Sequence, residues 1–212
     1  MKTVLEIRSS IYSHSGQSSR LADRFVAHWR AANPGGKVIV RDLAQDPVPH
    51  IDADRFAALI ATPEQRTAEQ KAIVAYSDAL IAELKTADVI VLAVPMYNFS
   101  IPSTLKAYFD HIARAGVTFR YSEKGPVGLI TGKQTYVFAA RGGRYASTPL
   151  DSQTPYLRMF LGFIGITDVE FVHAEGLAMS EASREESLAN AHARIGEILE
   201  PVLEAARNAR VV

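Results

Sequence analysis

The chain has 212 residues, 48% of them hydrophobic, with 23 basic side chains, 23 acidic ones and no cysteine. That is enough apolar material for a sizeable core and too much for a largely disordered chain. The charge balance argues against the basic surface that non-specific nucleic-acid binding needs, and the missing thiols exclude disulfides, cysteine nucleophiles and thiolate metal sites.

The opening MKTVLEIRSS has no signal-peptide pattern, and no apolar run approaches the roughly 20 residues of a membrane span. A soluble, cytoplasmic protein is expected. Residues 4–7 read as a first strand, followed by the polar turn IYSHSGQSS. A helix over about 18–32 comes next, with Leu21, Phe25, Trp29 and Ala32 at helical spacing. Asn33-Pro34-Gly35-Gly36 stops it, and 38–40 is a second strand.

Residues 46–65, with prolines at 47, 49 and 63, form an excursion with room for one short helix. A long helix spans 67–86, with Ile73, Ser77, Leu80, Ile81 and Leu84 on one side. Residues 89–94 are a third strand; Pro102 at the first helical position starts a helix that Gly116 ends. The glycine-punctuated stretch 117–133 reads as a hairpin-like excursion. A fourth strand (135–140), a helix (154–161), a fifth strand (169–173) and a final helix (181–206) complete the chain.

Strand and helix alternate, and the third and fourth strands are apolar on both faces. The pattern predicts one α/β domain over 1–212, a doubly wound five-stranded parallel sheet with helices on both faces. Both common strand orders of such sheets put a ligand beyond the carboxyl ends of the strands, so the loops after strands one, three and four carry the argument.

The first of these loops lacks GxGxxG and GK[ST], so it is neither a dinucleotide fingerprint nor a nucleoside-triphosphate loop. It offers the hydroxyls of Ser10, Ser15, Ser18 and Ser19, the Gln17 amide and a flexible Gly16, leading into a helix N-terminus. That is either a serine-rich cap or a site for a terminal phosphate held by neutral donors. After strand three, Pro95-Met96-Tyr97-Asn98-Phe99 pairs soft apolar contacts with one amide. It suits a flat heterocycle with a polar edge, or else packs as core under the next helix. After strand four, Ala140-Arg141-Gly142-Gly143 is either a tight turn or a place where backbone N–H groups approach a ligand. Taken alone Tyr97 reads better as core, but three such loops converging at one end of one sheet are much less expected by chance than any one of them. The six histidines show no metal-ligand spacing, so no metal site is expected.

These residues, together with ARAGVTFRY at 113–121 and TPYLRMFLGFIGI at 154–166, resemble the FMN-dependent NAD(P)H azoreductases, bacterial relatives of the NAD(P)H quinone dehydrogenases. The resemblance implies a flavodoxin-like fold and a homodimer with one FMN per subunit. It also implies NADH or NADPH as donor, and quinones and azo compounds as acceptors. By position, Ser10 and Gly16-Gln17-Ser18 would hold the phosphate. Pro95 and Met96 to Phe99 would line the ring, and Ala140, Arg141, Gly142 and Gly143 would meet its pyrimidine edge. Asn98, Phe99, Tyr121 and Phe163 would form the substrate pocket, with no side chain acting as a catalyst of its own. Gly16 and Ala140 stand where the family usually has serine; each keeps its backbone N–H. The resemblance further implies ping-pong kinetics, and segments 117–131 are expected to reach across the dimer. A flavodoxin-type electron carrier and a nicotinamide-only dehydrogenase are the competing readings. The neutral charge speaks against the first and the missing GxGxxG against the second.

Overall fold

The computed structural model describes residues 1–208, and the side chains of residues 1–200. Five parallel strands form the main sheet: β1 (Thr3–Arg8), β2 (Lys37–Asp42), β3 (Val89–Pro95), β6 (Gln134–Ala140) and β7 (Asp168–Ala174). A separate antiparallel hairpin, β4 (Phe119–Ser122) and β5 (Gly125–Gly128), occupies the 117–133 excursion. The main sheet runs in the order β2-β1-β3-β6-β7, the flavodoxin order, whose switch point lies between β1 and β3.

The doubly apolar strands take this position because side chains alternate across a pleated strand. Val89, Val91 and Ala93 of β3 pack with α1 (Gln17–Ala32) and α6 (Glu181–Asn208). Ile90, Leu92 and Val94 face α3 (Ala68–Thr86), α4 (Ser103–Ile112) and α5 (Gln153–Ile164). Leu21, Phe25, Trp29 and Ala32 are all buried, as the α1 periodicity predicts. The one acid inside β1, Glu6, is buried. Burial raises its pKa, and Arg8 opposes that by donating to it at 2.7 Å and bridging on to Asp23 of α1.

The 46–65 excursion carries α2 (Ala53–Ile60), capped by Asp52 and packed on α3. Thr67 and Gln70 form a reciprocal capping box at the start of α3. Most boundaries shift by one or two residues from the sequence reading, α5 runs three residues further to Ile164, and α4 differs at both ends. Pro102 is the N-cap of α4 rather than its first residue, and the helix ends at Ile112 rather than Gly116. The Thr118 hydroxyl takes the Ile112 carbonyl at 2.6 Å, while the Arg114 carbonyl accepts the N–H groups of Val117 and Thr118. Those bonds close the chain into a turn, in which Gly116 has φ +77°. Among the described residues, no helix is long and apolar enough to cross a membrane.

Candidate active site

The loops after β1, β3 and β6 leave neighbouring strands at one edge, in register: Arg8 pairs with Ala93, and Pro95 with Ala140. The ladder continues one residue further, since Ser9 N–H donates to Ala93 O at 3.1 Å and Met96 N–H to Ala140 O at 2.9 Å. Each loop therefore starts from a fixed point.

In the first loop, Ser10 is buried, and its Oγ accepts the Tyr12 N–H at 3.2 Å. The Tyr97 hydroxyl lies 3.5 Å from that Oγ and accepts the Ile11 N–H at 3.3 Å, tying the first loop to the second. Gly16 caps α1 without a side chain. A β-carbon built on Gly16 would lie 2.6 Å from Ser10 Cβ, and nearer still to its hydroxyl, so Ser10 fills the space a serine at 16 would need. Ser13, at φ +52°, is fastened by its hydroxyl to Asp42 at the end of β2.

Beyond this loop the first turn of α1 presents open donors. The N–H groups of Gln17, Ser18 and Ser19 precede the first intrahelical bond, and none has a protein acceptor among the described residues. The hydroxyls of Ser18 and Ser19 are buried and unpartnered as well. Buried hydroxyls are ordinarily satisfied, so two orphans at successive positions of a helix N-terminus are donors that an anion bound there could use.

The second loop is a two-residue hairpin. Tyr97 and Ser100 exchange N–H···O bonds of 3.0 Å, and Asn98 and Phe99 between them have φ of +49° and +66°. Two left-handed residues in succession make a type I′ turn, natural for asparagine and strained for phenylalanine. Phe99 is 50% exposed, so the reading of it as core is ruled out. Met96 and Tyr97 are half-buried and Pro95 fully buried. Gln153, at the start of α5, holds the turn from below: its Nε2 donates to Pro95 O at 3.0 Å and to Ser100 O at 3.4 Å.

In the third loop neither Gly142 nor Gly143 has positive φ, so a left-handed turn is not the reason for the pair. A β-carbon on Gly143 would lie 2.6 Å from the Tyr145 hydroxyl, whose ring meets Phe99 edge-on at 5.4 Å. The carbonyls of Arg141, Gly142 and Gly143 accept the N–H groups of Leu177, Ala178 and Gly176 at 3.1, 3.0 and 2.9 Å. The Gly142 and Gly143 N–H groups have no acceptor among the described residues.

Arg141 differs from its sequence reading as a ligand contact. Its N–H donates to Ala174 O at 2.8 Å, and its guanidinium is wholly buried among protein partners. These are Asp151 (3.0 Å), Thr154 (2.7 Å), Gln153 (3.3 Å) and Glu175 (3.1 Å). Glu175 Oε1 also accepts the Tyr145 and Ala146 N–H groups, both at 2.8 Å. Burial pushes Asp151 up, but bonds from Thr154 and Arg141 outweigh it and hold the carboxyl below its usual range. Sequence reasoning missed Asp151, Gln153 and Glu175. An acid followed by glycine just past the fifth strand was the available signal.

Tyr121 and Phe163 lie apart from the three loops. Phe119 packs against Phe163 at 4.3 Å with the rings tilted by 43°, and meets Tyr121 edge-on at 5.5 Å. Tyr121 lines a cavity of about 630 Å³ with Phe56, Ile60 and Phe119, and no residue of the three loops lines it. Tyr121 is 73% exposed.

A doubly wound sheet with orphan donors at its switch point defines a flavodoxin-type protein. A family profile described as flavodoxin-like fold matches residues 2–199, and the chain belongs to that family. It is 58% identical, over 85% of this chain and 91% of the relative, to an FMN-dependent NADH:quinone oxidoreductase of Cellvibrio japonicus. It is 57% identical, over 92% and 98%, to FMN-dependent NADH:quinone oxidoreductase 6 of Burkholderia lata. Among solved structures, an FMN-dependent NADH-azoreductase from Bacillus anthracis in complex with FMN superposes with a TM-score of 0.84 at 27% identity, covering 96% of this chain and 100% of that one.

Proposed function

We propose that this chain is a cytoplasmic, single-domain, FMN-dependent NAD(P)H oxidoreductase that reduces quinones and cleaves azo compounds to amines. The observation that carries the reading is the pair of buried, unpartnered hydroxyls of Ser18 and Ser19 above three open N–H groups on α1. The donor set fits the phosphate of FMN: it is neutral and placed at the positive end of a helix dipole.

When bound, FMN supplies a hydride relay between a nicotinamide donor and an organic acceptor. Gly16, Gln17 and Ser18 would hold its phosphate, with Ser10 shaping the loop through its contact with Gly16. Pro95, Met96, Tyr97, Asn98 and Phe99 would line the ring. Ala140 anchors Met96 through its carbonyl, and the Gly142 and Gly143 N–H groups would face the pyrimidine edge, where they stabilise negative charge as an oxyanion hole does. Arg141 supports them from behind.

The relatives' names point to NADH as the donor. Donor and acceptor occupy one apolar cleft in turn, which makes the kinetics ping-pong. A quinone needs one round of two electrons and two protons; an azo bond needs two rounds to give two amines. Phe99 and Tyr121 are exposed apolar side chains that a second copy of the chain would cover, so the working unit is a homodimer in which Tyr121 and Phe163 complete the substrate pocket.

The test is optical. Pure protein reconstituted with FMN should show flavin absorbance that NADH bleaches and a quinone restores, with parallel double-reciprocal plots. A colourless protein after reconstitution removes the reading, and a bleached protein that no acceptor reoxidises marks an electron carrier instead. Sedimentation should give twice the chain mass; an active monomer would overturn the shared pocket.

A further inference from the structure

The four guanidinium partners of Arg141 pass its constraint in two directions. Through Glu175 it reaches Tyr145 and Ala146, just past Gly142–Gly143. Through Gln153 it reaches the carbonyls of Pro95 and Ser100, at either end of the strained Asn98–Phe99 turn. One buried cation thus links the two loops that would flank the ring. Its fork of fixed N–H donors suits the task, because guanidinium geometry resists the small rotations that an ammonium tolerates.

We propose that Arg141, clamped by Glu175, is a positioning residue that holds the Gly142 and Gly143 N–H pair at a fixed offset from the Pro95–Phe99 turn, without itself touching a ligand. The proposal rests on the reading of this cleft as an FMN site. Loosening the clamp should misalign the N–H pair while the phosphate end stays intact. Affinity then falls, and the reduced cofactor loses stabilisation relative to the oxidised one.

The experiment compares the parent chain with Glu175→Gln, which keeps the shape and removes the charge. Both apoproteins are titrated with FMN, and the midpoint potential of the bound FMN is measured. Glu175→Gln should keep the parent circular-dichroism spectrum, bind FMN about tenfold more weakly and give a more negative potential. Should that variant be unfolded at the assay temperature, Thr154→Val removes one guanidinium acceptor and should move both quantities the same way, by less. A folded variant with the parent's affinity and potential overturns the proposal. So does one whose melting temperature falls while the potential stays put, which marks a fold support only. A parent apoprotein that takes up no FMN instead overturns the functional reading on which the proposal stands.

Discussion

At the start of α1, Ser18 and Ser19 carry buried hydroxyls with no partner among the described residues. At the β6 end, Arg141 is ion-paired with both Asp151 and Glu175, so each of these three groups is matched by a protein partner. Under the proposed reading, the first arrangement is completed by the phosphate of the ligand. The second is complete within the protein and leaves the backbone N–H groups of Gly142 and Gly143 without an acceptor among the described residues. The difference teaches where ligand affinity and where rigidity reside. Unmet donors favour binding, and satisfied charges fix geometry.

The largest effect should come from emptying the satisfied end. Arg141→Met strands two carboxylates and should destabilise the apoprotein by about 3–5 kcal/mol, read as a lower denaturation midpoint in urea. Gly16→Ala strikes the open end through shape instead. Its new methyl must displace Ser10, which should cost about 1–3 kcal/mol and weaken FMN binding on the order of 10- to 100-fold by fluorescence titration.

Ser18→Ala sharpens the contrast because its two readouts should move in opposite directions. Removing a buried, unpartnered hydroxyl should leave the apoprotein as stable or slightly more so. The FMN complex should lose a hydrogen bond worth about 0.5–1.5 kcal/mol. A variant that destabilises the apoprotein would show that Ser18 has a partner of its own.

The smallest effect concerns His173, whose Nε2 lies 3.3 Å from the Thr154 hydroxyl on the satisfied side. Burial first, then the Arg141 charge, holds its pKa below the ordinary 6.5. The unfolded chain therefore takes up the proton first. Its contribution to stability is present above about pH 6.5 and is lost as pH falls below that value towards the folded-state pKa. Melting curves between pH 7.5 and 5 should show this slope, to which His111 and His192 add in the same direction, and His173→Phe should reduce it.

The alternation of apolar strands and amphipathic helices made the sheet legible, and turn chemistry singled out three loops that the fold does bring to one edge of it. What escaped depends on contacts between distant positions. The end of α4 is set by a hydroxyl six residues on, Thr118, which no spacing rule reports. Arg141 read as a ligand contact because its neighbours are glycines, but its inward role requires Gln153 and Glu175, and only the strand order brings those two together. Tyr121 and Phe163 were singled out by family position, and the fold of one chain keeps them away from the loops.

The turn at Asn98–Phe99 leaves a trace in how this protein would adapt. A phenylalanine at φ +66° gives up on the order of 1–3 kcal/mol that glycine at the same place would recover. A library selected for heat resistance alone should therefore drift towards glycine at residue 99, whereas one selected for turnover should keep the ring. Divergence between those two lineages at a single codon would measure how far folding and chemistry pull against each other here.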